Sequence, residues 1–585
     1  MAQGPFLHFE SRVRNWRSYV PLLDTIKNYR KDDAAHDLVA GLVLGVITVP
    51  QAIAYAYLAG LPPQAGLYAC LAPMLLYAIL GSSRHLVVGP VAVAALMVAA
   101  AIGEYAPRYS NAYLGISTVL CVQAGIILLL LRVTQMGGIV NLLSHPVITG
   151  FINAAAILII ISQLPGFTGI VTSGVSGPLD ELAMLMSKVG ELNIVSLAIG
   201  VTSLVMMWLL GRYLVGAVQL VWKNLKDESP LGRTGPMIAV ILATFMVIWL
   251  NLDGDFDVAT VGFVPPGLPA FTMPPFEISM WLDLLPSSAM IALVAYVESY
   301  SVGTSIAIKE RTRINSHQEL IALGAANISA AFTGAYPVAG SFSRSSVNYQ
   351  AGARSQVSSL FCMAVIVVTL LFLTPLFERL PQACLAAIVT ISVANLIDFR
   401  SIMETWSIYR QDAMTETATL ATVLLFGVEA GLLTGVALSV AFFIRLSSRP
   451  HVTLVGRIIN TEHFRAVKRY DTETLPHVVA LRIDENIYFA NSNQIENRLQ
   501  KTVQRRPATR HVLLVCNAVN MIDISGLQML RRFNDNLLSF GIKLHLSEVK
   551  GPVIEALKSG GFPTKLSGSI YFTTHQAMRD LEERV

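Results

Sequence analysis

A succession of apolar stretches occupies the chain from about Leu38 to Leu446. Many of them approach the roughly 20 residues that a helix needs to cross about 30 Å of hydrocarbon. The 585-residue chain is 54% hydrophobic and 14% charged, whereas soluble proteins have about 25% charged residues. This pattern predicts a chain that lies mostly within a membrane. With 42 basic and 38 acidic residues, the charge is too balanced to indicate nucleic-acid binding.

We predict an α-helical polytopic membrane domain over residues 37–447, with fourteen transmembrane segments. Seven are long enough to span the membrane as full helices, near 38–58, 112–131, 146–164, 192–211, 236–251, 284–308 and 357–376. Seven are shorter or broken, near 65–80, 90–103, 318–333, 341–351, 382–398, 413–428 and 430–446.

The distribution of Lys and Arg predicts the orientation, because cytoplasmic turns are enriched in these residues. With the N-terminus inside, the cytoplasmic turns hold Arg84, Arg132, Arg212, Lys223, Lys226, Arg233, Lys309, Arg311, Arg313, Arg400 and Arg410. The external side holds Arg108, Lys188 and Arg379, and the acidic loop 251–283 has no Lys or Arg. We therefore predict a multi-pass protein of the cell (inner) membrane with both termini cytoplasmic. Residues 1–36 are predicted to be a cytoplasmic segment without a removable signal peptide.

After Arg449-Pro450 charged residues become frequent and the apolar runs become too short to span a membrane. Strands are predicted at 478–483, 487–489, 511–516 and 543–546, and helices at 492–503, 526–540 and 552–559. This alternation predicts a cytoplasmic α/β domain over residues 448–585.

The sequence carries no sign of catalytic or metal chemistry. The five cysteines have no CxxC or other metal-ligand spacing. A Ser/His/Asp set and a phosphate-binding loop are also missing at membrane depth. We therefore expect no cofactor, no metal site and no enzymatic activity.

Two short apolar elements follow Gly89-Pro90 and Gly340, at corresponding places in the two halves of the membrane domain. Short segments interrupted by Gly or Pro indicate an inverted-repeat transporter with its site at the bilayer midplane. The N-terminus of such a half-helix presents free amides and a positive dipole end to an anion. The candidates are 89–93 (GPVAV) and 340–346 (GSFSRSS). The alternative is a kink in an ordinary spanning helix.

Charged groups at membrane depth are functional hypotheses by default. Arg344 lies about one turn into the second half-helix, where its planar N–H donors suit a divalent oxyanion better than chloride. Glu298 is the acid well inside segment 284–308. Burial and an approaching anion both favour its protonated form, so anion binding and protonation should assist each other. The alternatives are structural: Arg344 reaching the interface or pairing with an acid, and Glu298 pairing with Arg344 or a hydroxyl.

Gln51 and Tyr55 lie four residues apart on one face of the first spanning segment. Both can donate a hydrogen bond to an oxyanion. Polar pairs of this kind also hold transmembrane helices together, so both interpretations remain open.

These stretches resemble the sulfate permease family, SulP, whose animal members are the solute carrier 26 anion transporters. The motifs that carry the resemblance are 50–52 (PQA), 58–68 (LAGLPPQAGLY), 81–84 (GSSR), 88–92 (VGPVA), 340–345 (GSFSRS), 347–348 (VN) and 351–352 (AG). The motifs from residue 340 onward are similar to the second half-helix of the plant-type sulfate branch.

The resemblance implies a seven-plus-seven inverted repeat, in which a core that carries the site moves against a gate like an elevator. It also implies a homodimer and a C-terminal STAS domain, which would correspond to residues 448–585. The anion contacts that it implies are Gln51, Tyr55, Val91, Ala92, Ser341, Phe342, Ser343 and Arg344. Glu298 falls on the acidic position that serves proton coupling in plant-like members and sodium coordination, as Asp, in some bacterial bicarbonate members.

Two departures from the family pattern matter. Val302, one turn after Glu298, and Phe342 stand where sodium-dependent bicarbonate transporters carry hydroxyls, which argues against a sodium site. At 523–526 (DISG), Ile524 replaces the hydroxyl residue that is phosphorylated in related bacterial regulators. Ser525 is the remaining candidate there.

The resulting hypothesis is secondary active, proton-coupled symport of a small inorganic anion, with sulfate favoured. Bicarbonate, C4-dicarboxylate or chloride and nitrate transport or exchange are the alternatives within transport. The alternative from another class is a membrane sensor or scaffold in which the STAS domain recruits a cytoplasmic partner.

Overall fold

The structure is a computed structural model that describes residues 20–103, 105–135, 144–170, 178–221 and 234–584. The chain forms two compact units, Met1–Ser439 and Val440–Val585. Residues 1–19 of the predicted cytoplasmic segment lie outside the described residues, as do Lys223, Lys226 and Arg233.

Helices make up almost all regular structure of the first unit. In chain order they are α1 (Pro21–Lys27), α2 (Lys31–Leu58), α3 (Pro63–Tyr68), α4 (Ala72–Leu80), α5 (Ala92–Ile102), α6 (Asn111–Val133), α7 (His145–Thr168), α8 (Pro178–Ser187), α9 (Ile194–Val221), α10 (Gly235–Trp249), α11 (Leu252–Asp255), α12 (Ile278–Asp283), α13 (Leu285–Lys309), α14 (Ser316–Phe332), α15 (Phe342–Gln350), α16 (Val357–Val368), α17 (Gln382–Ala394), α18 (Phe399–Ile408), α19 (Arg410–Phe426) and α20 (Val428–Ser448). Helix α20 continues into the second unit.

All fourteen predicted segments coincide with helical residues. Nine described helices or helix pairs are long and apolar enough to cross a membrane: Lys31–Leu58, Pro63–Leu80, Asn111–Val133, His145–Thr168, Ile194–Leu214, Leu285–Lys309, Val357–Phe377, Gln382–Ile408 and Val428–Ser448. Helices α5 and α10 are apolar but shorter. The count of fourteen spans therefore stays a prediction.

The helices of the first unit pack as two bundles. In the first bundle α6 and α4 pack against α14, α6 also against α13, and α16 against α2, while α5 and α15 contact α2 and α13. In the second bundle α7 packs against α19 and α17, and α9 against α17 and α10. Helix α20 joins the second bundle, because Gly431 lies against Val423 of α19 and Gly435 against Thr419. The bundles meet where α2 contacts α10 and α17, and where α5 contacts α7.

A two-stranded sheet lies inside the first bundle. Strand β1 (Val88–Gly89) runs antiparallel to β2 (Ala339–Gly340), so that Val88 pairs with Gly340 and Gly89 with Ala339. All four residues are buried. Each strand leads within three residues into a short helix, α5 or α15.

The second unit is an α/β domain. Its strands are β3 (Val452–Arg457), β4 (Phe464–Ala466), β5 (Val478–Ile483), β6 (His511–Val515), β7 (Lys543–Ser547) and β8 (Ile570–Tyr571), and its helices are α21 (Ser492–Gln504), α22 (Ile524–Ser539), α23 (Gly551–Ser559) and α24 (Thr574–Glu582). The sheet order is β4-β3-β5-β6-β7-β8. Strands β5 to β8 are parallel, and β3 is antiparallel to β4 and β5.

Most predicted elements of this unit are confirmed to within two residues, but the predicted strand at 487–489 is wrong. Ile487 makes an isolated bridge with Ile522, and Phe489 is in a turn with its side chain 74% exposed. The short apolar run is therefore a connecting segment before α21 rather than a strand. Strands β3, β4 and β8 and helix α24 are additional elements.

A pair of histidines inside this sheet makes the second unit sensitive to acid. His545 is fully buried, its Nδ1 accepts the Ser569 N–H at 3.0 Å, and its Nε2 lies 3.1 Å from Nδ1 of His511. Burial, and next the charge on His511, lower the pKa of His545 from its ordinary 6.5 to about 4. The unfolded chain then binds more protons than the folded one, so stability falls as pH drops from about 6.5 to 4.

We expect the melting temperature of the second unit to fall across this pH range, and a His545→Gln variant to show a smaller fall because the amide does not titrate. Calorimetry of the full chain measures it. Residues 440–585 contain no Trp, so unfolding of the second unit is the calorimetric transition that causes no change in tryptophan fluorescence. Identical pH profiles for the two proteins would contradict the assignment to His545.

Candidate anion-binding site

The two half-helices begin directly after the two paired antiparallel strands. Val91 is the N-cap residue of α5 and Ser341 is that of α15. The helices have 11 and 9 residues, about 16 and 14 Å at 1.5 Å per residue, so neither reaches across about 30 Å of hydrocarbon. Because β1 and β2 pair directly before them, both N-termini lie close to the same point of the first bundle.

Each helix start leaves amides for a ligand. The first turn of a helix has N–H groups without intrahelical acceptors, and it carries the positive end of the dipole. In α5 the first helical hydrogen bond runs from the Ala95 N–H to the Val91 carbonyl at 3.0 Å. In α15 the Ser341 hydroxyl accepts the Arg344 N–H at 3.4 Å. Two positive ends at one buried point favour an anion.

Arg344 lies between the two helix starts. Its side chain is 1% exposed, and Nη2 donates to the Pro90 carbonyl at 2.5 Å. A methyl group at Gly89 would lie 2.8 Å from Nη1, so glycine is needed there for the guanidinium to pack on the backbone. Nε of Arg344 is buried without a partner in the described structure. A buried N–H group without an acceptor lowers the stability of the protein unless a ligand accepts its hydrogen bond.

Arg344 neither reaches the surface nor pairs with an acid. No ion pair to it occurs within the described ranges, where its other contact is the sulfur of Cys70 at 3.9 Å. Both structural alternatives for this arginine therefore disagree with its position. The side-chain hydrogen bonds of Arg344 go to a carbonyl and a sulfur rather than to a carboxylate, which leaves the guanidinium available to an anion.

Glu298 lies on α13, half-buried and within electrostatic range of Arg344. The next residue, Ser299, is fully buried and joins α13 to the second half-helix, because its hydroxyl accepts the Gly340 N–H at 2.7 Å and donates to the Ala295 carbonyl at 2.5 Å. The acid therefore lies next to the backbone of the site without forming an ion pair with Arg344.

Gln51 and Tyr55 face the same region from α2. They are 4% and 6% exposed, and Tyr55 is within electrostatic range of Arg344 and Glu298. Ser392 of α17 lies next to the Tyr55 side chain. The face of α2 that carries both residues therefore borders the site where the two bundles meet.

The predicted contact residues differ in burial. Val91, Ala92 and Ser341 are 3%, 7% and 7% exposed, Ser343 is half-buried, and Phe342 is 53% exposed. Phe342 therefore contributes its N1 amide to the helix start, while its ring points away from the packed interior.

Three further residues hold the site in place; the sequence indicates Ser345 only as part of the segment 340–346 and does not indicate Asn327 or Ser299. Ser345 accepts the Val87 N–H at 2.9 Å, directly before β1. Asn327 of α14 accepts the Val338 N–H at 2.9 Å and donates to its carbonyl at 3.1 Å, directly before β2. Ser299 is the third. Ser299 and Asn327 are buried polar residues in apolar helices, and that contrast is the sequence feature that could have revealed them.

A helical protein with several membrane-crossing helices, in which two half-helices start at a shared buried point, has the architecture of a secondary transporter. Comparisons with known proteins give the family. The model of the sulfate permease family matches residues 35–419, and that of the STAS domain matches residues 469–577. The chain belongs to the sulfate permease family and is a multi-pass anion transporter with a C-terminal STAS domain, not an enzyme.

Curated relatives match over nearly the whole chain. Probable sulfate transporter 4.2 of Arabidopsis thaliana is 34% identical over 93% of this chain and 80% of its own. Sulfate transporter 4.1, chloroplastic, of the same plant is 33% identical over 98% and 85%. Probable sulfate transporter Rv1739c of Mycobacterium tuberculosis is 30% identical over 95% and 96%.

Solved structures share the fold. The murine solute carrier 26 family member A9 anion transporter, in the inward-facing state, matches with a TM-score of 0.87 at 23% identity, over 100% of this chain and 96% of that one. The transmembrane domain of the cyanobacterial bicarbonate transporter BicA matches with a TM-score of 0.58 at 22% identity, over 69% and 98%.

Proposed function

We propose that this chain is a proton-coupled sulfate symporter that works by elevator-type alternating access. The observation that carries the proposal is Arg344, a 1% exposed arginine at two helix N-termini with no acidic partner in the described structure. Its planar N–H donors match the oxygens of a tetrahedral oxyanion, and helix starts add amides that bind the same oxygens. The names of the curated relatives support sulfate as the anion.

Glu298 is the proposed proton carrier. It lies close enough to Arg344 to sense whether an anion neutralises the guanidinium. A bound dianion favours the protonated carboxyl, and a proton on the carboxyl removes repulsion of the dianion. Import of one then assists import of the other. Val302, one turn along α13, is 5% exposed and offers no oxygen to a sodium ion, which supports protons over sodium.

The remaining expectations complete the proposal. The transporter domain over residues 37–447 and the STAS domain over residues 448–585 form a homodimer in the cell (inner) membrane with both termini cytoplasmic. The anion contacts are Gln51, Tyr55, Val91, Ala92, Ser341, Phe342, Ser343 and Arg344. The proposed role of the STAS domain is regulatory. Phosphorylation at Ile524 is excluded because this residue carries no hydroxyl, although it is 76% exposed, and the neighbouring Ser525 is half-buried.

Purified protein in liposomes tests the function. We expect radiolabelled sulfate uptake that an inward proton gradient accelerates and a sodium gradient leaves unchanged. Competition experiments rank the anions. Unlabelled sulfate should reduce the uptake of radiolabelled sulfate more than unlabelled bicarbonate, C4-dicarboxylates, chloride or nitrate does. Sodium-dependent uptake at constant pH would contradict the proton coupling, stronger competition by another anion would contradict the choice of sulfate, and tight sulfate binding without flux would favour the sensor.

A further inference from the structure

Among the described residues, few side-chain hydrogen bonds cross the boundary between the two bundles, and one of them lies where α13 and α20 begin. Ser287, in the first turn of α13, donates its hydroxyl to the carboxylate Oε1 of Glu429, in the first turn of α20. Ser287 is 8% exposed and Glu429 is half-buried. The first bundle carries the candidate site through α13, whereas α20 packs on α19 of the second bundle, so this hydrogen bond joins the two.

The next residue provides a contrast. Ser288 is fully buried and donates to the Gln123 side chain at 2.6 Å. Gln123 belongs to α6 and in turn donates to the Trp281 carbonyl at 2.6 Å, so every partner belongs to the first bundle or to the segment that leads into it. Two neighbouring serines on one helix therefore bind opposite sides of the boundary.

A second crossing lies at the end of α2. The Tyr57 hydroxyl donates to the Val261 carbonyl at 2.6 Å. The segment around Val261 is fastened to the start of α17, because the Val261 N–H donates to the Leu380 carbonyl and the Gln382 N–H to the Ala259 carbonyl, both at 2.9 Å. Helix α17 belongs to the second bundle. Tyr57 therefore links α2 of the first bundle to a segment held by the second.

These contacts can break and reform at small cost. Both depend on the tip of a side chain rather than on interlocked backbone. A half-buried carboxylate such as Glu429 regains hydrogen bonds from water when it is released. Packed interfaces switch between discrete arrangements rather than deforming continuously, and a few directional bonds at one end can hold one arrangement.

We propose that the Ser287–Glu429 hydrogen bond, together with Tyr57–Val261, is a latch that must open in every transport cycle, an inference that rests on the alternating-access part of the proposed function. The latch keeps the anion site closed toward the end of the protein where α13 and α20 begin. Ser288–Gln123 is not part of it, because its partners move together.

Reversible cross-linking tests the latch. A Ser287→Cys/Glu429→Cys double variant is treated in liposomes with a short bis-methanethiosulfonate linker, whose length replaces that of the glutamate side chain. The five native cysteines are all buried, and the native protein treated in the same way measures their background reaction. We expect cross-linking to lower sulfate uptake by at least about tenfold, because the step that opens the site is blocked, and dithiothreitol to restore it.

A matched pair within the first bundle is the control. The Arg354 guanidinium lies 2.8 Å from the Asp33 carboxylate, and both side chains are accessible. An Asp33→Cys/Arg354→Cys variant, treated in the same way, should keep its uptake, since both cysteines move with the same bundle. Unchanged uptake in the fully cross-linked latch variant would overturn the proposal. Absence of uptake in the untreated native protein would instead count against the proposed function.

The second crossing supplies an independent variant if the first double variant does not fold. Tyr57→Cys/Val261→Cys, with a longer linker to replace the phenol ring, should show the same reversible inhibition. Inhibition that dithiothreitol does not relieve, in either variant, would indicate damage to the protein and would contradict the latch.

Discussion

An Arg344→Gln variant should lose sulfate transport. Arg344 is the buried cation at the two half-helix starts, and its Nε has no partner in the described part of the chain. A charge-assisted hydrogen bond contributes about 1.5–3 kcal/mol. Loss of two such bonds to a dianion lowers affinity by about 100-fold or more, since each 1.4 kcal/mol is a factor of ten. Radiolabelled uptake and isothermal calorimetry of sulfate binding measure the effect.

Two further variants separate charge from geometry at this position. Arg344→Lys keeps the charge but loses the planar pair of donors, so sulfate uptake should suffer more than chloride uptake. Arg354→Gln is the control, because Arg354 is 49% exposed and its ion pair with Asp33 lies at the surface, where such pairs contribute about 0–1 kcal/mol. Near-native sulfate uptake by a folded Arg344→Gln protein would remove the basis of the proposed site.

A Glu298→Gln variant should separate transport from the proton gradient. The amide keeps the shape of a protonated carboxyl but cannot release a proton, so sulfate can still cross in exchange for sulfate on the other side. We expect sulfate exchange to persist while acceleration by an inward proton gradient falls by about tenfold or more, the usual size of a proton-transfer contribution being about 100-fold or above. Uptake at fixed external pH and varied internal pH measures the coupling.

Glu404→Gln provides the matched control for this experiment. Glu404 lies on α18 with its side chain exposed, so its neutralisation changes the charge of the protein by the same amount at a distance from the site. It should leave the pH dependence intact. A Glu298→Gln protein that still responds to the proton gradient like the native chain would assign the coupling to another group.

The local part of the fold could be predicted because its cause is local. The sequence predicts the second half-helix at 341–351, because Gly340 and the cluster of serines interrupt the apolar pattern, and the structure has it at Phe342–Gln350. The apolar pattern predicts one helix over 357–376, yet the backbone changes to π-helix at Thr369–Leu373 and then to a 3-10 turn at Thr374–Phe377. Hydrophobicity alone carries no information on how the backbone winds within an apolar run.

The pairing of distant segments was beyond sequence reasoning. Periodicity could place Arg344 at membrane depth, but not beside the Pro90 carbonyl, because that contact depends on residues 254 positions apart. The partners of Ser299 and Asn327 are backbone groups next to β2, and a backbone amide has no residue type to recognise. The residues themselves indicate Arg344, Gln51, Tyr55 and the two half-helix starts, whereas the individual contacts within those starts come from the family resemblance.

The buried β pair also constrains how the protein is made. The Val87 amide meets its acceptor Ser345 only 258 positions later, and Val88 pairs with Gly340, which is also in the second half of the chain. Non-local contacts of this kind form late, and unpaired backbone polar groups are costly in hydrocarbon. During synthesis the backbone groups just before α5 therefore lack their hydrogen-bond partners until the second half of the chain is inserted. A chain truncated before residue 340 should therefore not bind the anion.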